Sequence, residues 1–456
     1  MMTNGNLPGR AVRAYCWCTI QENTMPRPLI AATLLALGSA ALSTSVVAQS
    51  AAQAEAVEGE LLEQRAADVV AAFRGEKPAA EVFGPAFLAA VPEERLLAMN
   101  TQLAGQFGPL LGVESVVPRG ASQALVTFRF ERALGSGPMV LSGGPDNLVS
   151  GLRLSSFEPI DDSAEKIADD LSALPGDVSV YFGPLEGGEA VFAHGEDVPF
   201  PIGSTMKLYI LSALSRSIAD GERNWVDIVP LSVRSLPSGR LQDWPLGTPM
   251  TLQTLATMMI STSDNTATDQ LLAVLGREAV EAELRASGHS DADGTLPFLS
   301  TLEMFALKSD EARGTAYAAA SEGEQRATLA ALASELRGSA DNGDIAPWAE
   351  ARLIDSVEWF ASTSDLRGLL RRLVDAEQNA LRIMAVNRAM PERLAKDWDY
   401  VGYKGGSEPG VLNYTWLLRD KDGAWHTLVM SWKDESNTLT TNTFDLLAQR
   451  IIALTP

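Results

Sequence analysis

The residues Phe-Pro-Ile-Gly-Ser-Thr-Met-Lys at positions 200–207 decide how the second half of the chain is interpreted. They predict a helix that begins at about Ser204 and runs to Ile218. Because residues three apart share one face of a helix, Lys207 would lie beside Ser204. A serine hydroxyl needs a base to become a nucleophile, and burial near another cation lets a lysine amine accept a proton. Ser204 and Lys207 are therefore a candidate nucleophile and base, although an N-cap serine followed by a surface lysine has the same spacing.

A second motif, Ser-Asp-Asn at residues 263–265, lies between a predicted helix over 251–260 and another over 266–272. Aspartate and asparagine often cap helices and form turns, which is the ordinary structural explanation of such a sequence. In the catalytic interpretation, Ser263 relays a proton to the leaving group. Asn265 then holds an amide of the substrate.

The third motif, Lys-Gly-Gly-Ser at residues 404–407, follows a strand predicted over 400–404. Taken alone, it is equally typical of a simple turn. In the catalytic interpretation, the Lys404 ammonium lies near Ser263, keeps Lys207 neutral and attracts an anionic group.

Two glycines in this third motif would let a substrate backbone approach the strand edge closely. The backbone N–H groups of Ser204 and Ser407 would form an oxyanion hole for the reacting carbonyl oxygen. The predicted substrate contacts are Asn265, Lys404, Gly405, Gly406 and Ser407.

In order and setting, the three motifs resemble the S-x-x-K, S-D-N and K-T-G set of serine β-lactamases and penicillin-binding proteins. Residues 164–456 are most similar to class A β-lactamases. The resemblance implies an α+β fold, an α/β/α sandwich with an antiparallel sheet. It also implies roles for the matching residues: nucleophile Ser204, base Lys207, proton relay Ser263, and substrate contacts Asn265 and Lys404.

Two departures from the family pattern bear on the substrate. Gly405 replaces the usual threonine, which removes a hydroxyl expected to bind a β-lactam carboxylate, and Ser407 could compensate in part. The E-x-x-L-N segment that supplies the deacylating glutamate of class A enzymes is missing. Glu350 and Glu358 lie in roughly the right region without the flanking pattern, so the sequence does not identify this base.

The first predicted domain covers residues 57–160, where helical periodicity over 61–73 and 96–107 is followed by extended stretches. Helices followed by strands over about 100 residues indicate a small α+β unit, whose ordinary explanation is a packing or spacer module. Together with 164–456, the chain is similar to two-domain relatives whose first unit resembles the cone of nuclear transport factors and steroid isomerases. One such relative comes from a clavulanic-acid gene cluster and resembles an esterase.

The amino terminus predicts export. Residues 1–24 have the character of a misassigned start or a disordered leader, and residues 25–48 have that of a signal peptide with an apolar run of about the right length. The two cysteines, Cys16 and Cys18, precede the expected mature start. We therefore expect a periplasmic or secreted protein with no transmembrane span in its mature form.

Composition and net charge limit the classes of partner that the protein could bind. The net charge of −22 disfavours nucleic acid and anionic lipid, both of which need clustered Lys and Arg. The three histidines, His194, His289 and His426, lack ligand spacing, so we expect neither a metal nor a cofactor. No G-x-S-x-G segment surrounds Ser204, which argues against an α/β-hydrolase.

These observations predict a serine hydrolase that forms an acyl-enzyme on Ser204 and acts on a small acyl compound, either a β-lactam or an ester. The alternative is a slow penicillin-binding or sensor-type protein that is acylated but turns over poorly. Turnover of an acyl substrate distinguishes the two.

Overall fold

The structure is a computed structural model, and it describes residues 59–160, 162–236, 238–338, 345, 348–376, 378–437 and 439–454. The predicted leader (1–24) and signal peptide (25–48) lie outside the described residues. The boundaries of the two predicted domains stay a prediction.

Helices followed by an antiparallel sheet make up the region before residue 160. Along the strand Gln123–Phe130 every second side chain is buried, including Val126, Phe128 and Phe130. This alternation packs one face of the sheet against the preceding helices. The likeness to a cone-shaped domain stays a prediction. The elements are α1 (59–73), α2 (Pro85–Ala90), α3 (Glu93–Phe107), β1 (Leu110–Pro118), β2 (Gln123–Phe130), β3 (Ala133–Leu141), β4 (Val149–Leu152) and β5 (Ser156–Pro159).

A second antiparallel sheet forms the centre of the C-terminal region, in the order β12-β13-β14-β6-β7, so that β12 is an edge strand. Its strands are β6 (Asp177–Pro184), β7 (Phe192–His194), β12 (Tyr400–Glu408), β13 (Val411–Arg419) and β14 (Trp425–Lys433). Short strand pairs join β8 (Phe200–Pro201) to β11 (Phe360–Ala361) and β9 (Ile228–Pro230) to β10 (Pro249–Thr251).

Helices cover both faces of this sheet. They are α4 (Ala164–Ser172), α5 (Lys207–Ala219), α6 (Leu252–Ser261), α7 (Asn265–Leu275), α8 (Arg277–Ala286), α9 (Ala292–Thr295), α10 (Thr301–Ser309), α11 (Glu311–Ala318), α12 (Glu322–Gly338), α13 (Thr363–Ala376), α14 (Gln378–Met384), α15 (Glu392–Ala395) and α16 (Thr441–Ile452).

The alternation of side chains on β13 creates two cores. Tyr414 and Leu418 pack with α4 and α16 on one face. Leu417 points to the other face and joins the larger core, which is built mainly from α5, α6, α7 and α13. Strands that are apolar on both faces need helices on both sides. The predicted α+β class and the sandwich with an antiparallel sheet are confirmed.

Two sequence-based expectations need correction. The strand predicted to end at Lys404 continues to Glu408, since both glycines pair in register with β13. The α-helix expected from Ser204 begins at Lys207, after a 3-10 turn over Gly203–Met206.

Among the described residues, no helix is both long and apolar enough to cross a bilayer.

Candidate active site

Ser204 lies in the 3-10 turn that connects β8 to α5. The residue before the turn is anchored to the residue before β11, because the Ile202 N–H donates to the Trp359 carbonyl oxygen over 2.9 Å. Ser204 lines a cleft of about 600 Å³, together with Ser263, Lys404 and other residues of the three motifs. The turn therefore presents the predicted nucleophile to an open space large enough for a small molecule.

Lys207 is the first residue of α5 and is completely buried. Its Nζ donates to the Ser263 carbonyl oxygen (2.7 Å), to Ser263 Oγ (3.0 Å) and to Asn265 Oδ1 (2.7 Å). Burial, and next the positive charge of Lys404, lower the pKa of Lys207 well below its ordinary value. A lysine in this setting can exist as the neutral amine that a general base requires.

Ser263 Oγ lies between two amines. Lys207 Nζ and Lys404 Nζ each lie 3.0 Å from it. Burial lowers the pKa of Lys404 to about 7. Once Lys207 has taken up a proton, Ser263 Oγ can accept from both lysines, and because a hydroxyl also donates one hydrogen bond, its own proton is then available for a group in the cleft. This geometry suits a proton relay to a leaving group.

Asp264 holds this relay in place, and it is the helix cap that the structural explanation of the second motif predicts. It caps α7 by accepting from the Ala267 N–H (2.8 Å), and its other oxygen accepts from the N–H groups of Arg240 (2.6 Å) and Leu241 (2.9 Å). Next to it, Ser263 has a φ of 56°, an uncommon conformation for a residue with a side chain. Because the backbone next to it is fixed in this way, Ser263 is held in its strained conformation.

The loop before α6 reinforces the same segment. Ser238 Oγ donates to the Ser263 carbonyl oxygen over 2.6 Å, and the Asn265 N–H donates to the Ser238 carbonyl oxygen over 3.0 Å. Gly239 has a φ of 100°, and a Cβ there would overlap the Asp264 carboxylate. Glycine is therefore needed at this close approach.

The edge strand β12 packs its backbone directly against the nucleophile turn. A Cβ on Gly406 would overlap the Ile202 carbonyl oxygen and would lie 2.7 Å from Ser204 N. Gly203 has a φ of 47°, and a Cβ on it would lie 3.2 Å from Ser407 N. The structure thus brings the Ser204 and Ser407 N–H groups to the same end of the cleft, as an oxyanion hole requires.

A neighbouring side chain on the same face of β12 explains why position 405 is a glycine. A Cβ at this position would overlap the Tyr403 hydroxyl and would lie 2.8 Å from Tyr403 Cζ. Residues two apart point the same way on a strand, so the tyrosine ring occupies the space that a threonine would need. The Tyr403 ring packs 4.7 Å from that of Trp416, which holds it there.

The two glutamates named as candidate deacylating bases lie apart. Glu358 lines the cleft and is buried, and its carboxylate accepts from Lys308 Nζ (2.9 Å) and from the Trp359 N–H (3.1 Å). Glu350 lies in a neighbouring pocket. Sequence analysis missed Glu408, which lines both spaces and also bonds Lys308.

The histidines do not form a site. Within the part of the chain that the structure describes, no three or more His, Cys, Asp or Glu side chains are grouped to hold a metal ion. His289 is buried, with its Nε2 2.8 Å from the Phe360 carbonyl oxygen. The three-motif cluster around Ser263 is thus built from serines, lysines and an asparagine.

The solved structures that match this chain include β-lactamases and PBP-A. A β-lactamase from Sphaerobacter thermophilus is 20% identical, with a TM-score of 0.45, over 64% of this chain and 94% of that one. A mutant of PBP-A, solved as an acyl-enzyme complex with penicillin G, is 16% identical, with the same TM-score and coverage. A variant of the last common ancestor of Gram-negative class A β-lactamases is 17% identical, with a TM-score of 0.43, over 64% and 95%.

A search of curated proteins gives no match. The family evidence comes instead from a match that spans residues 162–454, well over half of the chain, to the family described as "Beta-lactamase enzyme family". That span contains all three motifs and the whole second sheet with its covering helices. The chain therefore belongs to the beta-lactamase enzyme family, and it is a serine hydrolase of the β-lactamase type.

Proposed function

We propose that this protein is an exported hydrolase that carries the acyl group of its substrate on Ser204 Oγ. The observation that carries the proposal is the buried Lys207 amine, which lies within 3.0 Å of Ser263 Oγ beside the nucleophile turn. Amines with a lowered pKa cluster at functional sites, and this one contacts Ser263 and Asn265, which line the cleft.

The proposed acylation begins when neutral Lys207 takes the hydroxyl proton of Ser204. Ser204 Oγ then bonds to the substrate carbonyl carbon, and the Ser204 and Ser407 N–H groups stabilise the oxyanion. As the bond to the leaving group breaks, that group takes a proton from Ser263 Oγ. Ser263 regains a proton from the Lys207 ammonium. Water later adds its hydroxyl to the acyl carbon, and its remaining proton returns to Ser204.

We propose small acyl esters ahead of β-lactams as good substrates. Gly405 stands where the family has a threonine, and Tyr403 fills the space that the threonine side chain would need. The hydroxyl expected to bind a β-lactam carboxylate is therefore missing. Glu358 is bonded to Lys308 and to a backbone N–H, which disfavours it as a base for a deacylating water. A slow penicillin-binding or sensor-type protein is the second candidate, and the same engagement of Glu358 favours it.

Steady-state hydrolysis of p-nitrophenyl acetate and of nitrocefin tests this proposal. We expect multiple turnover of the ester by the wild type, slow turnover of nitrocefin, and loss of both in Ser204→Ala. Turnover of neither compound, with lasting acylation, would favour the penicillin-binding candidate. Equal ester hydrolysis by wild type and Ser204→Ala would refute the proposal.

Export is proposed from residues 25–48 alone. Expression of the full chain in a Gram-negative host, followed by fractionation and amino-terminal sequencing of the product, tests it. A product in the periplasm or medium that begins close to residue 49 is expected. An uncut product in the cytoplasm would contradict export.

A further inference from the structure

A buried cluster of one lysine and two glutamates lies at the wall of the catalytic cleft. The ammonium group of Lys308, on α10, bonds the carboxyl groups of Glu358 and Glu408, and the distance from Lys308 Nζ to Glu358 Oε1 is 2.9 Å. The side chains of Lys308 and Glu358 are completely buried, and that of Glu408 is 9% exposed. The acylation steps proposed above give none of these three side chains a role.

Glu408 joins the cluster to one of the two oxyanion donors. It is the last residue of β12 and directly follows Ser407, whose backbone N–H is one proposed donor. Because β12 is an edge strand, it is bonded along its length only to β13, and its other side faces the nucleophile turn. The contact between Glu408 and Lys308 therefore holds the end of β12 where the oxyanion must bind.

Glu358 joins the same cluster to the other donor. Its Oε2 accepts from the Trp359 N–H over 3.1 Å. The Trp359 carbonyl oxygen in turn accepts from the Ile202 N–H over 2.9 Å. Ile202 lies two residues before Ser204, whose backbone N–H is the second proposed donor. A series of hydrogen bonds thus connects Lys308 to the backbone of the nucleophile turn.

The charges of the cluster balance when it holds one extra proton. Glu408 also hydrogen-bonds Glu358, which requires a proton on one of the two carboxyl groups. Burial, and next the Glu358 carboxylate, raise the pKa of Glu408 well above its ordinary value. With that proton in place, one ammonium faces one carboxylate and one neutral carboxyl group. A buried group of charges that is paired in this way can hold elements of the fold together.

From this geometry we infer that Lys308 and Glu408 are positioning residues for the oxyanion hole. Lys308 acts through Glu358 on the Ser204 N–H and through Glu408 on the Ser407 N–H, so it fixes the separation of the two donors. Such donors stabilise an oxyanion only when both lie at about 2.7–3.1 Å from it, so a small shift of either one weakens catalysis. This inference rests on the proposed acylation of Ser204.

Replacing the carbonyl oxygen of the substrate by sulfur tests the alignment of the two donors. p-Nitrophenyl acetate and its thiono analogue differ only in this atom, and sulfur is larger and accepts hydrogen bonds poorly. We call the ratio of their kcat/KM values, divided by the same ratio for hydroxide ion, the oxygen preference. An aligned pair of donors should give the wild type an oxygen preference of roughly tenfold or more.

Two variants of Glu408 separate its hydrogen bonds from its bulk. Glu408→Leu keeps a side chain of similar size and leaves the Lys308–Glu358 pair neutral, but it disconnects β12 from Lys308. Its oxygen preference should fall towards one. Glu408→Gln can accept from Lys308 and donate to Glu358, as the protonated carboxyl group does. It should therefore keep the oxygen preference of the wild type.

Lys308→Met removes the cation itself and should lower the oxygen preference as Glu408→Leu does. Arg450→Met is the matched control, because Arg450 is also a buried cation that bonds two carboxylates, Asp162 at 2.7 Å and Asp170 at 2.6 Å. That cluster joins α16 to α4 and has no connection to the oxyanion donors in the described contacts. Arg450→Met should therefore lower the stability of the protein and leave the oxygen preference unchanged.

Three results would overturn the inference. They are a wild-type oxygen preference in both Glu408→Leu and Lys308→Met, an equal loss of it in Glu408→Gln and Glu408→Leu, and an equal loss of it in Arg450→Met. Urea denaturation of each variant shows whether the preference merely follows stability. If hydrolysis of p-nitrophenyl acetate does not depend on Ser204, the proposed function itself has failed.

Discussion

Lys207 Nζ and Ser263 Oγ lie 3.0 Å apart, although 56 residues separate them in the chain. The contact joins the start of α5 to the connection between α6 and α7, where Asp264 fixes the backbone. Two short motifs that are unremarkable by themselves thus become one proton-transfer unit. Substitutions at Lys207 and substitutions in the Ser263 segment should therefore affect acylation in different ways.

Replacing Lys207 removes the proposed base. Lys207→Ala should slow acylation by p-nitrophenyl acetate roughly a hundred- to ten-thousand-fold, the usual cost of losing general-base catalysis. Lys207→Arg keeps a positive charge but cannot give up its proton, so it should be similarly slow. The burst of nitrophenolate in a stopped-flow experiment measures the step. An arginine variant as fast as the wild type would exclude the lysine as base.

The pH dependence of acylation should follow Lys207. The neutral amine is the active form and is populated above its pKa, so the rate should rise with pH. Because burial and Lys404 lower that pKa, the rise should occur well below the ordinary range of a lysine. Lys404→Gln removes one of these causes and should move the rise to higher pH.

The control for this shift is Lys396→Gln, on an exposed residue. It should leave the pH profile of kcat/KM for a neutral ester in place. A wild-type profile that rises only in the ordinary lysine range would contradict the lowered pKa.

Asp264 should act on stability and on catalysis together. Asp264→Ala loses the cap of α7 and two further N–H partners, so we expect the free energy of unfolding to fall by about 2–4 kcal/mol. Asp264→Asn keeps an acceptor oxygen at the helix cap, so its free energy of unfolding should fall by less. Urea denaturation followed by fluorescence gives both values. An alanine variant with wild-type stability would show that the carboxylate does not hold the Ser263 segment.

Restoring the family threonine should fail unless space is made for it. Gly405→Thr alone forces the Tyr403 ring to move and should cost about 1–3 kcal/mol of stability, as overpacking does. The double variant with Tyr403→Ala should accept the threonine and improve the KM for nitrocefin relative to Tyr403→Ala alone. An improvement in the single variant would show that Tyr403 is not the obstacle.

The motif residues were accessible to sequence analysis because each motif is short and continuous. The spacing and order of the motifs predict five site residues, and the structure brings them together around one cleft. They are Ser204, Lys207, Ser263, Asn265 and Lys404. Their catalytic roles stay predictions until the variants are measured.

The buried cluster of Lys308, Glu358 and Glu408 could not be found in this way. Lys308 lies 50 residues before Glu358 and 100 before Glu408, and no local pattern links them. Only the packing of α10 against the ends of two strands brings them together.

The central claim is that Ser204 carries the acyl group. Intact-protein mass spectrometry of the mature chain, mixed with nitrocefin and quenched at short times, tests it most directly, with peptide mapping to locate the adduct. The account predicts one added acyl group on the peptide that contains Ser204, and none in Ser204→Ala. An adduct on another residue, or one that persists in Ser204→Ala, would contradict it.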